Sequence, residues 1–525
     1  MLQVLRVSFV LGSLAFLASL SYPAQASELA DLIEDGARRE ALALIGNGAD
    51  VNEAQGDGTT PLHWAVYRLD TELVALLLES GADPDVINSY GSSPLAEAAK
   101  VAEAGLVETL LEAGADPDAP NPDGQTVLML ATRSGSTEIV RLLLEHGADA
   151  NARESWRGQS ALIWAADSRF PEIVDLLLEH GAEVEFRAES FDWPSQITSE
   201  PRAQYRPVGG LTPLLYAARS GCTACVDSML AAGADIDRPT PEGMTPLIIA
   251  LDNGAFVTAK RLLERGANPH LWDWYGRTAL YVAVDMANAG RGSRNAGGAP
   301  VPEDAGDGAL TVTGFEIVEL LLEAGVNPNA QLTKHRPSRG GNIGRFSDPL
   351  LTTGCTPLLR AAIAQDLATM RVLIEHGALV DLPNVMGVTP LIVTAGVSGG
   401  GRGGVFGGPF GAEDRAIEII DMLLEAGADI NARIVDSYNL TARFGRTPNA
   451  LTEREGHTAL FAAVSRGWGR AVEHLIANGA EVDVVDARGR TLIDVAMGRI
   501  GGRETTISEA IAATLERHLA AMQPQ

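Results

Sequence analysis

A glycine recurs along this chain at a spacing that admits few folds. Gly48, Gly81, Gly114 and Gly147 stand 33 residues apart, Gly181 follows after 34, and Gly233 and Gly266 are again 33 apart. A fixed period in that range means one supersecondary unit stacked on copies of itself rather than a single globular core. A length of 525 residues would ordinarily call for several domains. A stack grows by addition and needs no such division.

The stretch from Gly58 to Asn88 shows what repeats. It holds Thr60-Pro61-Leu62-His63, then Ala65, an apolar run of Leu73, Val74, Leu76, Leu77 and Leu78, and Gly81-Ala82-Asp83. Thr60 is placed to cap a helix by accepting an amide of its first turn, and Pro61 suits the first helical position, where a missing N–H costs nothing. The same position holds Ser93, Thr126, Ser160, Thr212, Thr245, Thr278, Thr356, Thr389, Thr458 and Thr491, every one Ser or Thr. Five residues on come Ala65, Ala98, Ala131, Ala165, Ala217, Ala250, Ala283, Ala361, Ala463 and Ala496, with Thr394 the one departure. A small residue there lets neighbouring helices approach closely. Gly81 suits the end of a second helix, where a left-handed residue is wanted.

Thr-Pro-Leu-His-x-Ala in front and Leu-Leu-Leu-x-x-Gly-Ala-Asp behind resemble the ankyrin repeat. The resemblance implies an all-α solenoid of helix-turn-helix units carrying β-hairpin fingers, here with long loop insertions. The expected organisation is a signal peptide at 1–26, an amino-terminal capping repeat at 27–57, the repeat array at 58–488 and a carboxyl-terminal capping repeat at 489–525. Leu29, Leu32, Ile33, Leu42 and Leu44 should face inward in the first cap, and Ser508–Met522 should be the last helix. The spacing stretches to 52, 59, 52, 50 and 52 residues after Gly181, Gly266, Gly325, Gly377 and Gly427. Insertions are expected at finger positions near 186–208, 331–352 and 433–454. Two more, near 287–313 and 396–413, should fall between the helices of one repeat. The last is rich in glycine, and its composition is that of a pliable tip open to proteases.

Residues 1–26 carry Arg6 as their only charge, an apolar run from Val7 to Leu20, and Ala24-Gln25-Ala26. That is the pattern of a secretory leader cut between Ala26 and Ser27, and the apolar run is short for a membrane span. The chain is therefore expected in the periplasm or outside a bacterial cell, off the membrane once the leader is cut, and as a monomer. With 40 Lys and Arg against 68 Asp and Glu, it is too acidic for general nucleic-acid binding or adsorption to an anionic surface.

Candidate chemistry is sparse. Cys222-Thr223-Ala224-Cys225 offers either a structural disulfide, two buried thiols or, least in keeping with a helical repeat, a redox pair. His146, His180 and His376 each close a Glu-His-Gly-Ala segment at a second-helix end, where a histidine suits the helix dipole; equivalent helix positions about 8–10 Å apart cannot share one metal ion. Gly396 to Gly411 lacks the Lys-Ser/Thr of a phosphate loop. No enzyme, cofactor or metal is expected.

The positive signal is aromatic and cationic. Trp, Tyr and Arg carry most binding energy at protein interfaces. In an ankyrin-like unit the finger tips and the first-helix ends face a partner. On that basis the residues expected to contact a protein partner are Tyr90, Trp156, Arg157, Trp193, Tyr205, Arg206, Arg219, Trp274, Tyr275, Arg277, Arg339 and Phe346. Tyr67, Arg68 and Trp272 lie in the same settings. Two alternatives stay open: a redox or protective factor acting through Cys222 and Cys225, and recognition of an anionic polymer or glycan by the Arg-aromatic fingers.

Overall fold

The structure is a computed structural model of the chain. It describes residues 27–192, 207–288, 312–334, 350–397, 412–435, 454–498 and 508–522. Residues 1–26 and the greater part of each expected insertion lie outside the described residues.

The regular structure of the described residues is almost entirely helical, and they fall into two compact units, divided between Ala152 and Arg153. The first unit holds four helix pairs: Glu28–Glu34 with Arg38–Gly46, Pro61–Tyr67 with Thr71–Glu79, Pro94–Lys100 with Ala104–Glu112, and Val127–Ser134 with Thr137–Glu145. The second unit continues in the same manner from Ala161–Ser168 with Pro171–Glu179 to Leu492–Ala496 with Glu509–Met522. Within each unit the first helix of a pair packs on the first helix of the next, and second helices do the same.

The caps explain why these short segments are helical. Ten of the eleven Ser and Thr cap side chains accept the amide three residues on, as Thr60 does from His63 and Thr278 from Tyr281. Ser160 has the extended cap backbone but makes no such bond. Helices of seven to nine residues are too short to stand alone in water, so packing must hold them. The repeated alanines supply it: Ala65, Ala98, Ala131, Ala165, Ala217, Ala250 and Ala283 are fully buried. In the first pair Leu29 and Ile33 are buried, while Leu32, Leu42 and Leu44 are half-buried.

A second ladder runs along the loops that follow the second helices. Asp83 N–H donates to Asn52 Oδ1 at 2.8 Å, Asp116 N–H to Asp85 Oδ1 at 2.8 Å and Asp149 N–H to Asp118 Oδ1 at 2.8 Å. In the second unit Asn268 N–H donates to Asp237 and Asp429 N–H to Asp381. Part of the acidic surplus is thus structural. Its acceptors tie each repeat to the next, and burial raises the pKa of Asp118 and of Asp381.

The fingers differ from the expected hairpins. Among the described residues one pair of strands forms, β1 (Ser190–Asp192) antiparallel to β2 (Pro207–Gly209), flanking the insertion expected near 186–208. Elsewhere the fingers are tight turns, with isolated bridges at Trp272–Thr278 and Val485–Thr491. Strands are described at one lengthened finger and at none of the 33-residue units. The helices on either side of the two insertions expected within a repeat pack on each other. Ala279–Ala287 packs on Gly314–Glu323, and Pro390–Thr394 on Ala412–Glu425, so 289–311 and 398–411 each join two helices of one pair.

Candidate functional site

Each finger turn is built around one acceptor side chain. Asn88 accepts the amides of Tyr90 and Ser92 at 3.1 and 3.0 Å, Glu154 those of Trp156, Arg157 and Gln159, and Asp273 those of Tyr275 and Arg277 at 2.9 Å each. Asn384 and Asp486 repeat the pattern. Successive turns are then tied backbone to backbone. Ser89 N–H donates to Asp57 C=O at 2.7 Å in the first unit; in the second, Trp274 donates to Glu242, Thr333 to Tyr275, Val385 to Thr353, Val435 to Met386 and Ala487 to Glu455, all within 2.7–2.9 Å. The result in each unit is a row of rigid turns with a fixed register. Pro122 and Pro241 sit at the donor position of this ladder and have no N–H to give.

Large apolar side chains stand out from these turns. Tyr90 is 78% exposed, Trp156 72%, Trp272 65% and Trp274 42%. The Arg157 guanidinium lies 4.6 Å from the Trp156 ring centre, and Lys334 Nζ lies 3.2 Å from that of Trp274. These are cation–π contacts at the surface. Each pairs a broad apolar face with a positive charge.

Two residues expected at this surface are not there. Tyr275 and Arg277 are buried. Thr333 of the following turn lies over Gly276 between them, its amide bonded to the Tyr275 carbonyl at 2.9 Å and its backbone N 2.8 Å from where a Cβ on Gly276 would stand. Arg277 points inward instead. Its Nε meets Asp273 Oδ2 at 2.6 Å and its Nη1 meets Asp252 Oδ1 at 2.8 Å. Burial works against this guanidinium, but Asp252, Asp273 and Asp285 together more than offset it and hold its pKa above the usual value. A second buried pair, Arg360 with Asp285 at 2.6 Å, ties the helix Ala279–Ala287 to Pro357–Ile363. Neither Asp285 nor Arg360 was expected to matter. The available signal was a lone carboxylate, Asp285, inside the apolar run Ala-Leu-Tyr-Val-Ala-Val-Asp-Met-Ala.

Arg219 is half-exposed and already engaged, to Asp167 at 2.7 Å and over the Tyr216 ring. Trp193, Tyr205, Arg206, Arg339 and Phe346 lie outside the described residues, as does Ala26. Ser27 is buried and caps the first helix, accepting from Ala30 N–H at 3.1 Å.

The remaining candidates resolve into structural roles. Cys222 and Cys225 are joined by a disulfide with Cα atoms 5.2 Å apart; both are buried, and Cys222 sits as the cap of its helix. The rings of His146, His180 and His376 each meet the carbonyl four residues back at 2.8–2.9 Å, at the ends of their helices. Among the described residues no group of His, Cys, Asp and Glu is arranged to hold a metal ion. His457 is buried with Arg454 and Asp486 close by, its ring stacked on Phe461 at 4.7 Å and its Nε2 3.4 Å from Asp486. Burial first, and then Arg454, push its pKa down to about 4.

Family models of the ankyrin repeat match the sequence. A model of three consecutive repeats matches residues 33–121, 100–188, 198–273 and 214–291, and a single-repeat model matches 353–385 and 455–487. No curated protein matches the chain. The matched segments coincide with the capped helix pairs and with the turn row, and on that basis the chain carries ankyrin repeats in both of its units.

Proposed function

We propose that this chain is an exported, non-catalytic scaffold that binds a protein partner through side chains held out from its row of turns. Ankyrin repeats generally mediate protein–protein interaction, and proteins built from them are typically scaffolds rather than enzymes. The observation that carries the reading is the pair Trp272 and Trp274. Two large rings stand in solvent from a turn that is itself pinned from beneath by Arg277, Asp273 and Asp252. Exposed rings of that size cost solvation and gain nothing for the fold, whereas a partner would bury them. The rigid turn keeps the ordering cost of binding low.

In this reading residues 1–26 are a leader removed between Ala26 and Ser27, the pairs at 27–57 and 489–525 cap the array, and the mature chain works as a monomer in the periplasm or outside the cell. Burial of both Cys222 and Cys225 favours a structural bridge over an exchange reaction. Amino-terminal sequencing of the protein from cells should begin at Ser27; an intact leader contradicts export. For binding, proteins crosslinked to the intact chain should include one lost when Trp272→Ala and Trp274→Ala are combined. Its affinity should fall by about 2 kcal/mol or more, with the melting temperature unchanged. A variant that melts early, yet binds the same proteins with its folded fraction, refutes the proposal.

A further inference from the structure

The first unit displays a different surface, and its chemistry narrows the kind of partner. Residues 27–152 hold six Lys and Arg against 23 Asp and Glu. Three of the six, Arg68, Lys100 and Arg133, fall at the ends of consecutive first helices, and all three are exposed. These helices pack side by side, Pro61–Tyr67 on Pro94–Lys100 and that helix on Val127–Ser134. Tyr67, Lys100 and Arg133 each stand seven residues after their caps Thr60, Ser93 and Thr126. Equal positions on packed helices lie about 10 Å apart, so the three share one edge of the unit.

Apolar groups accompany the charges. Tyr67 is 60% exposed, Leu69 50% and Val101 36%. Leu69 is also strained. Its φ of +59° is a left-handed conformation, where the equivalent position of the fourth pair has Gly135. A leucine there gives up backbone comfort while half of its surface stays in solvent. Lys100 meets Glu97 at 3.1 Å and Ser92 Oγ at 2.9 Å, and Arg68 donates to the Glu34 carbonyl; these are exposed or part-buried contacts, and the ion pair is of little net worth and can exchange for another carboxylate.

We propose that this edge of the first unit docks an acidic, extended segment of a protein partner that also carries apolar side chains. The carboxylates meet Arg68, Lys100 and Arg133, and the apolar groups cover Tyr67, Leu69 and Val101. The surplus of acid elsewhere on the unit repels such a segment and so directs it to this edge. The inference rests on the scaffold reading above but concerns different residues.

The test uses the whole mature chain and a fluorescein-labelled peptide of repeated Glu-Glu-Leu-Trp, followed by fluorescence anisotropy, with repeated Lys-Lys-Leu-Trp as control. The acidic probe should bind, more weakly as salt rises, and the basic probe should not. Lys100→Glu with Arg133→Glu should weaken the acidic probe at least tenfold, and Tyr67→Ala should weaken it without changing the charge; circular dichroism checks that both variants fold. Equal binding of the two probes, or charge reversal without effect, overturns the proposal. So does duplex DNA that binds as well as the peptide, which makes the edge a general polyanion site. A dimer in sedimentation that charge reversal dissolves also overturns it, with a second copy as occupant. Trp272→Ala with Trp274→Ala should leave the acidic probe unaffected. If the probe fails while tryptophan-dependent capture persists, only the present inference falls.

Discussion

The turn at Ile87–Ser92 and the turn at Trp272–Arg277 are the same structure used in opposite ways. In both, the second residue is an Asx acceptor that takes the amides two and four residues on, and a tyrosine precedes the glycine. Tyr90 is 78% exposed and Tyr275 only 2%. The next turn sits close in both cases, Thr333 over Gly276 and Pro122 over Gly91, but only Thr333 donates an amide, to the Tyr275 carbonyl; Pro122 has none to donate. Below the turn, Asn88 is neutral and Ser92 small, while Asp273 and Arg277 form a buried ion pair that reaches on to Asp252. Position in the repeat therefore decides where a side chain starts; the exposed tyrosine belongs to the turn with neutral Asn88 beneath it, the buried one to the turn with the Asp273–Arg277 pair and a bond from the next turn.

The sharpest way to break the comparison is to remove the charge under the second turn. Arg277→Met leaves Asp273 and Asp252 without their partner and should cost about 3–5 kcal/mol in denaturant unfolding. Lys100→Met in the first unit removes one exposed pair and should change stability by no more than about 0.5 kcal/mol. Equal effects would mean that both charges are surface decoration.

Acid should act on the second unit through His457. Its ordinary pKa of 6.5 is depressed to about 4 in the folded chain. The unfolded chain then binds the extra proton between those values. The stabilisation from keeping His457 neutral is complete above pH 6.5 and is lost as pH falls toward about 4, on the order of 3 kcal/mol. Asp118 and Asp381, whose pKa values are raised, contribute in the opposite sense as the pH falls. His457→Gln should flatten the slope of melting temperature against pH in this range. An unchanged slope would show that His457 titrates normally.

A smaller effect tests the stacking common to both units. Ala217 is fully buried between first helices. Ala217→Leu should overpack that contact and cost roughly 1–3 kcal/mol; a melting curve that does not move would mean the helices are farther apart than described. The smallest expected effect has the opposite sign. Leu69→Gly releases the left-handed strain and should stabilise the first unit by about 1 kcal/mol or less, while weakening the acidic probe. A loss of stability there would mean that Leu69 packs on something after all.

Much of this fold was legible in the sequence because its causes are local. Thr60, Pro61, Ala65 and Gly81 act within one turn of helix, and their recurrence marked every repeat. The exposed rings Tyr90, Trp156 and Trp274 were legible for a related reason, since a tight turn holds its tip side chains away from its own helices. Arg277 was misplaced because it pairs inward with Asp252, 25 residues earlier in the preceding repeat, and Tyr275 stands in the same turn. Asp285 and Arg360 were missed on the same ground: they lie 75 residues apart, and neither shows its partner in its own repeat. The division after Ala152 left no mark in the glycine spacing, which runs through it unbroken.

The central claim is that one repeat position stands in solvent in one unit and serves cohesion in the other, and a matched pair of substitutions tests it most directly. Tyr275→Ala and Tyr90→Ala delete the same side chain at the same place in the same turn, and urea unfolding followed by far-ultraviolet circular dichroism compares them. The account predicts a loss of about 3–5 kcal/mol for Tyr275→Ala and less than about 0.5 kcal/mol for Tyr90→Ala. Equal losses, or a larger one at Tyr90, would contradict it.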